Sequence, residues 1–364
     1  MPILPLLRGS LPPHTEMYGA LIQGEEQIQT GGGKLSAISL KTAEGSGTVI
    51  LGEEQEIVEW LETSRPDLSA ELHKRMENAL RPPCKLHIRG KSIPMDRPLI
   101  MGVLNVTPDS FSDGGKYVGR EAAVQHALSM QDEGADMIDI GGESTRPGAT
   151  PVTTDEELAR VMPVIRSLSG VLKVPLSVDT MKPDVAVAAL AEGVSVINDV
   201  SGFADRRMRQ LAAETGCGLI IMHMQGNPST MQLSPSYTHV VAEVALFLLH
   251  RMELCIADGA EPSAIMLDPG IGFGKTVTHN LLLLRSLYTF RSIGRPVIIG
   301  VSRKGFIGKI TGEPVDSRIA GSIGASVASW LLGANVLRVH DVRETREAVE
   351  MTRAMFGSSH VSVE

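Results

Sequence analysis

From residue 99 onward the chain alternates short apolar, β-branched runs with longer segments of helical period. The runs are Leu99–Thr107, Met137–Gly142, Pro175–Thr180, Val194–Val200, Gly218–Met224, Ala264–Gly270, Pro296–Ser302 and Asn335–Asp341. They are apolar nearly throughout, the pattern of parallel strands covered by helices. The segments between them carry helix start and stop signals. In Thr154–Ser169, Thr154 and Glu157 have capping-box spacing, Leu158, Val161, Ile165 and Leu168 share a face, and Gly170 follows the last turn. Pro183 opens the next helix, and Gly193, Gly216, Gly259, Gly294 and Gly333 close others. Asp132-Glu133 and Asp155–Glu157 read as solvated helix ends.

Eight strand–helix units over about 260 residues predict an α/β fold, a (β/α)8 TIM barrel. A doubly wound open sheet is the rival, but there polar residues gather at one crevice. Here they stand at the C-terminal end of nearly every run, which favours the barrel. Ahead of it, Lys85–Met95 predicts a short hairpin about Gly90, placed to cover the barrel's N-terminal mouth. Residues 1–82 predict a small α/β extension of unknown role. It has a Pro-rich start, a strand-like run at Leu35–Leu40 and helical patterns over Glu53–Glu62 and Leu68–Leu80. Arg81-Pro82-Pro83 reads as the linker to a domain spanning residues 83–364.

A length of 364 residues suits one large domain with an appendage. The net charge of −8 argues against a nucleic-acid surface. Cys84, Cys217 and Cys255 are scattered and without C-x-x-C spacing, which points to a reducing compartment and away from a zinc site. No apolar run approaches the ~18 residues of a membrane span. The expectation is a cytoplasmic protein with neither nucleic-acid nor membrane partners.

The chemistry stands at the strand ends. In strand order these carry Asn105, Asp139, Asp179, Asn198-Asp199, His223, Asp268, Ser302-Arg303-Lys304 and Arg338 with His340. Asp179, Asn198 and Asp268 suit a flat heterocycle with an amidine-like edge, because a carboxylate accepts two N–H bonds from ring and amino group. Arg338 and His340 are two apart on a strand and share a face. They precede the last helix, where barrels commonly hold phosphate. Blander readings compete: a single Asp at a strand end is more often a helix cap, and His223 between two methionines reads as a wall residue. Gly270–Thr276 is one residue short of a P-loop, so nucleotide binding is not expected.

Taken together these residues resemble one family. Met101–Gly115 (MGVLNVTPDSFSDGG) and Asp139–Gly148 (DIGGESTRPG) are similar to the two long signatures of the dihydropteroate synthases. Ser177–Thr180, Ile197–Gly202, Leu267–Lys275, Gly300–Gly305 and Arg338–Asp341 are similar to further blocks in the family's order. The match runs from about Lys85 to the C-terminus. The resemblance implies condensation of 6-hydroxymethyl-7,8-dihydropterin pyrophosphate with p-aminobenzoate, through a cation-like pterin methylene, with Mg2+ as cofactor. By that carry-over Asp179, Asn198, Asp268 and Lys304 hold the pterin, and Met222 and Phe273 wall it. Asn105, Thr145, Arg338 and His340 hold the pyrophosphate, Asn105 through the metal. Phe111, Thr145, Arg146, Pro147 and Ser302 form the p-aminobenzoate pocket. Arg338, Lys304, Asp179 and Arg146 carry the catalytic roles, and a homodimer is the family expectation. Two alternatives stay open: a pterin-dependent corrinoid methyltransferase, which would not need the ESTRPG loop, and a non-catalytic pterin binder.

Overall fold

Side-chain parity along the eight runs decides the architecture. The computed structural model describes residues 3–10, 14–24, 35–43, 45–81, 85–106, 116–145 and 148–356. Each of the eight runs contains a parallel strand: β7 Leu99–Asn105, β8 Met137–Gly141, β9 Leu176–Asp179, β10 Val196–Asp199, β11 Gly218–Met222, β12 Ile265–Asp268, β13 Ile298–Ile299 and β14 Val336–Val339. Their order is β12-β11-β10-β9-β8-β7-β14-β13. A parallel bridge from Leu267 to Val297 joins the two ends and closes the barrel. Helices α3 Lys116–Asp132, α4 Thr154–Leu168, α5 Pro183–Ala191, α6 Arg206–Thr215, α7 Val240–Ala257, α8 Val277–Arg285, α9 Leu287–Arg291, α10 Gly305–Thr311, α11 Ile319–Leu331 and α12 Val342–Phe356 surround it.

One residue in two points outward. Ile100, Leu104, Ile138, Ile140, Val178, Ile197, Leu219 and Leu337 are buried together with the inner faces of the helices. The inward residues of the lower half form a separate cluster: Met101, Met137, Val196, Ile220, Met266, Ile298 and Val336. Hairpin strands β5 Lys85–Ile88 and β6 Lys91–Pro94 add Leu86 and Ile88 to it, and so plug the N-terminal mouth as expected. Arg89 at φ 48° and Gly90 at φ 75° make the tight turn between them. Each fully buried aliphatic side chain contributes roughly 1.5–3 kcal/mol, so this apolar floor is what allows the upper half of the barrel to be polar.

The capping box lies one residue earlier than the sequence spacing indicates. Thr153 accepts the Glu156 N–H at 3.2 Å, and Glu156 accepts the Thr153 N–H at 2.9 Å. Glu157 is therefore not a solvated helix end; it is fully buried.

The N-terminal segment holds more sheet than its sequence suggests. Strands β1 Ile3–Ser10, β2 His14–Gln23, β3 Ser36–Thr42 and β4 Gly45–Leu51 form an antiparallel sheet in the order β1-β2-β4-β3. Pro5 reads as a breaker, but β1 is an edge strand, where a missing N–H is tolerated. One face carries Ile3, Leu7, Met17, Ile22 and Ile50 against helices α1 Glu54–Ser64 and α2 Pro66–Leu80. The other face gives Leu4, Leu6, Leu21 and Val49 to the barrel's own core. Polar ties cross the same seam. The Leu7 N–H donates to Thr289 Oγ1 at 2.7 Å, Arg75 to the Ile293 carbonyl at 3.0 Å, and Arg291 to the Leu80 carbonyl at 2.9 Å.

This sheet therefore covers α7 to α9 as one more layer of the molecule. Deleting residues 1–82 is expected to expose that apolar seam, lower the melting temperature by several degrees and promote aggregation. A truncated protein that melts and stays dispersed like the full chain, in a thermal scan with light scattering, would contradict this packing role.

Candidate active site

The strand register brings the predicted residues into one layer. Asn105 pairs with Gly141, Gly141 with Asp179 and Asp179 with Asn198, a single row across four neighbouring strands. Met222 pairs with Asp268 on the far side of the barrel. Gly141 lies between Asn105 and Asp179: a Cβ there would make ordinary contacts with Asp179 Cβ at 3.5 Å and with Asn105 Oδ1 and Asp179 Oδ2 at 3.8 Å.

Across this row reaches Arg338 from β14. Its Nε donates to Asp139 Oδ2 at 2.7 Å, and its Nη2 donates to Asp179 Oδ2 at 2.9 Å. Asn198 Nδ2 donates to the same Asp139 oxygen at 2.9 Å. Asp139 has 0% exposure, and Arg338 only 21%. Burial pushes the Asp179 carboxyl up to about 7, opposed by Arg338 and reinforced by the negative charges of Asp139 and Glu157. The Arg338 charge, which burial disfavours, is held by Asp139 and Asp179. The site thus balances two carboxylates against one guanidinium in a weakly solvated interior.

A second group lies where β12 and β13 end. Asp268 Oδ1 accepts the Gly270 N–H at 2.7 Å, which turns the chain at the strand end. Lys304 Nζ donates to the Ile271 carbonyl and sits 4.7 Å from the centre of the Phe273 ring. Burial lowers the Lys304 pKa to about 8, with Asp268 opposing. Burial likewise raises Asp268, with Lys304 opposing. Ser302 Oγ accepts the His340 N–H at 3.2 Å and lies 3.1 Å from its Nδ1. Arg303, held at φ 57°, pairs with Asp341 through Nη2 and Oδ1 at 2.5 Å and so fixes the ends of β13 and β14 together.

The bland readings hold for two residues. Asp199 points away from the barrel axis and accepts the Ser201 and Phe203 N–H groups, as a turn residue does. His223 lies 2.9 Å from Lys275 Nζ and edge-on to Phe247, a satisfied wall residue. Lys275 Nζ donates to the Phe273 carbonyl at 2.8 Å and is buried, which is not how a P-loop lysine presents itself.

Thr145 is half-buried at the foot of the loop after β8. Phe111, Arg146 and Pro147 lie outside the described residues. The sequence places Asp139 at a strand end but assigns it no role, although it follows Met137 by two and must share its inward parity. Among the described residues no group of three or more His, Cys, Asp or Glu side chains could hold a metal.

A carboxylate, amide and guanidinium layer at the C-terminal mouth of a (β/α)8 barrel is placed where barrel enzymes hold their active sites. Residues 101–340 match the family described as pterin binding enzyme. Dihydropteroate synthase of Escherichia coli K12 is 43% identical over 270 residues, 74% of this chain and 96% of that protein. Among solved structures, Xanthomonas albilineans dihydropteroate synthase with 4-aminobenzoic acid has a TM-score of 0.72 at 44% identity, covering 76% of this chain and 99% of the other. The same enzyme with 7,8-dihydropteroate has a TM-score of 0.69 at 41% identity, covering 76% and 100%. The chain belongs to the dihydropteroate synthases, transferases of folate biosynthesis.

Replacing Asp139 by Ala leaves Arg338 partly paired in a dry interior. We expect a loss of about 3–5 kcal/mol in urea-unfolding free energy. A loss below about 1 kcal/mol, the scale of an exposed pair, would mean that Arg338 does not depend on Asp139.

Proposed function

We propose that the barrel top condenses 6-hydroxymethyl-7,8-dihydropterin pyrophosphate with p-aminobenzoate, giving 7,8-dihydropteroate and pyrophosphate. The observation that carries this reading is the row Asn105, Gly141, Asp179, Asn198 with Arg338 lying across it. Asp179 and Asn198, with Asp268 and Lys304 opposite, offer acceptors and donors to the rim of a pterin. Met222 and Phe273 supply apolar walls. Ring N–H groups take over the Asp179 oxygen, and the guanidinium of Arg338 turns to the pyrophosphate beside it.

The C–O bond of the pterin methylene then breaks with its electron pair on the pyrophosphate. Arg338, Arg146, Thr145 and His340 stabilise the charge that develops there. The carboxylate of Asp179 favours the cation left on the pterin, and Lys304 keeps Asp268 ionised against its burial. The aryl amine attacks from a pocket formed by Phe111, Thr145, Arg146, Pro147 and Ser302, forms the C–N bond and releases its proton. No strong base is required, because an aryl amine is already nucleophilic toward a cation.

Asn105 Oδ1 borders the space over Gly141 and is the one protein ligand the resemblance implies. So small a protein donor set fits Mg2+ that keeps water and phosphate oxygens as its main ligands. Bound there, the ion would neutralise charge on the departing pyrophosphate. A homodimer is supported by the apolar residues Ile310, Ile319, Met351, Met355 and Phe356, all exposed on α10 to α12. Residues 1–82 act as structural cover for the 83–364 barrel. A cytoplasmic setting is supported by the buried free thiols of Cys217 and Cys255. Among the described residues no helix is long and apolar enough to cross a membrane.

The test is product formation from the two substrates, with Mg2+ and with EDTA. Dihydropteroate is expected with the metal only. Arg338→Ala is expected to lose about 2–4 kcal/mol of transition-state stabilisation, roughly 30- to 1,000-fold in kcat/KM. Pterin binding without product, or near-normal turnover in that variant, would overturn the assignment.

A further inference from the structure

The turn after β12 is held by side chains, and the most deeply buried of them has no part in the reaction described above. Four successive carbonyls, 271 to 274, each accept a hydrogen bond from a side chain. Lys304 Nζ donates to Ile271, Gln232 Nε2 to Gly272 at 2.5 Å, Lys275 Nζ to Phe273 at 2.8 Å and Tyr237 Oη to Gly274 at 2.9 Å. Lys275 is only 3% exposed. Its Nζ also lies 2.9 Å from His223 Nδ1, and the His223 N–H donates to the Asp268 carbonyl at 2.9 Å.

The backbone of this turn lies directly on the segment after β11. A Cβ at Gly270 would stand 1.8 Å from the His223 carbonyl oxygen, and one at Gly274 2.6 Å from that of Gln225. Lys275 fills the turn from inside, where burial lowers its pKa well below the ordinary lysine range, with Asp268 opposing. Burial lowers His223 in the same direction, and the Lys275 charge adds to it. An uncharged amine and an uncharged imidazole share a hydrogen bond there without burying like charges together.

Phe273 stands between Gly272 at φ 85° and Gly274 at φ 63°. Backbone flanked by glycines has little preference of its own, so the place of the Phe273 ring depends on the bonds its neighbouring carbonyls make. That ring lies 4.7 Å from Lys304 Nζ, and the turn that carries it starts at Asp268, whose Oδ1 accepts the Gly270 N–H at 2.7 Å.

We propose that Lys275 is a positioning residue for the pterin: through the Phe273 carbonyl it sets the ring that walls the pterin pocket. This inference rests on the dihydropteroate synthase reading, in which Asp268, Phe273 and Lys304 meet the pterin, and deepens it. It predicts a selective defect, since Asn105, Arg338 and His340, assigned to the pyrophosphate, stand at the ends of β7 and β14.

The experiment titrates the full chain calorimetrically with 6-hydroxymethylpterin and, separately, with Mg2+-pyrophosphate, for wild type, Lys275→Met, Phe273→Ala and the double variant. Lys275→Met should weaken pterin binding about tenfold and leave Mg2+-pyrophosphate within about twofold. Because the lysine acts through the ring, the double variant should bind pterin about as Phe273→Ala does, not at the product of the two losses. His223→Phe removes the other partner of Nζ and keeps a ring beside Phe247, so it should show the same split and serves if Lys275→Met does not fold. Losses that multiply, equal losses for both ligands, or undiminished pterin binding in these variants would overturn the inference. A wild-type chain that binds no pterin would instead overturn the functional reading.

Discussion

A guanidinium held between two carboxylates inside a barrel is the arrangement on which the rest of this structure turns. Charges leave water at a cost of several kcal/mol each, and only close, well-aimed pairing offsets it. Arg338 meets that condition through Asp139 and Asp179, and Asn198 shares the Asp139 oxygen. The remaining Asp139 oxygen is buried and has no hydrogen-bond partner among the described residues. The layer is therefore tightly bound yet short of donors, the condition in which a ring carrying N–H groups is welcome.

Such a layer survives because of what lies around it. Below it, methionines and branched aliphatics from the lower strands meet the Lys85–Pro94 hairpin and exclude water. Around it, the outward half of every strand packs under helices. On one flank the N-terminal sheet thickens the wall over α7 to α9. Strand ends at the barrel top are anchored by charge: Arg303 with Asp341, and Lys182 with Glu143 and Glu157.

Much of this is legible in the sequence because strand parity is rigid. Two-residue spacing alone puts Met137, Asp139 and Gly141 on one face, and Arg338 with His340 on another strand's inner face. The eight runs and the Gly-ended helices follow from composition and period. What stays hidden depends on distant partners. That Glu157 is buried follows from Lys182 on another element, and the Thr153 box shows how a one-residue shift reverses which acid faces inward. Strand β1 was obscured by Pro5, whose tolerance depends on edge position, a property of the finished sheet. That Arg338 bonds both Asp139 and Asp179 could not be read before the register was known.

We propose that Arg338 gives up its Asp179 hydrogen bond to a bound pterin and turns that donor to the pyrophosphate. This exchange is tested most directly by calorimetric titration of the protein with 6-hydroxymethylpterin and with Mg2+-pyrophosphate, each alone and each in the presence of the other. A pterin that takes Asp179 releases the guanidinium, so each ligand should tighten the other by the same factor, on the order of 5- to 150-fold. Affinities that are independent, or that weaken each other, would contradict the account.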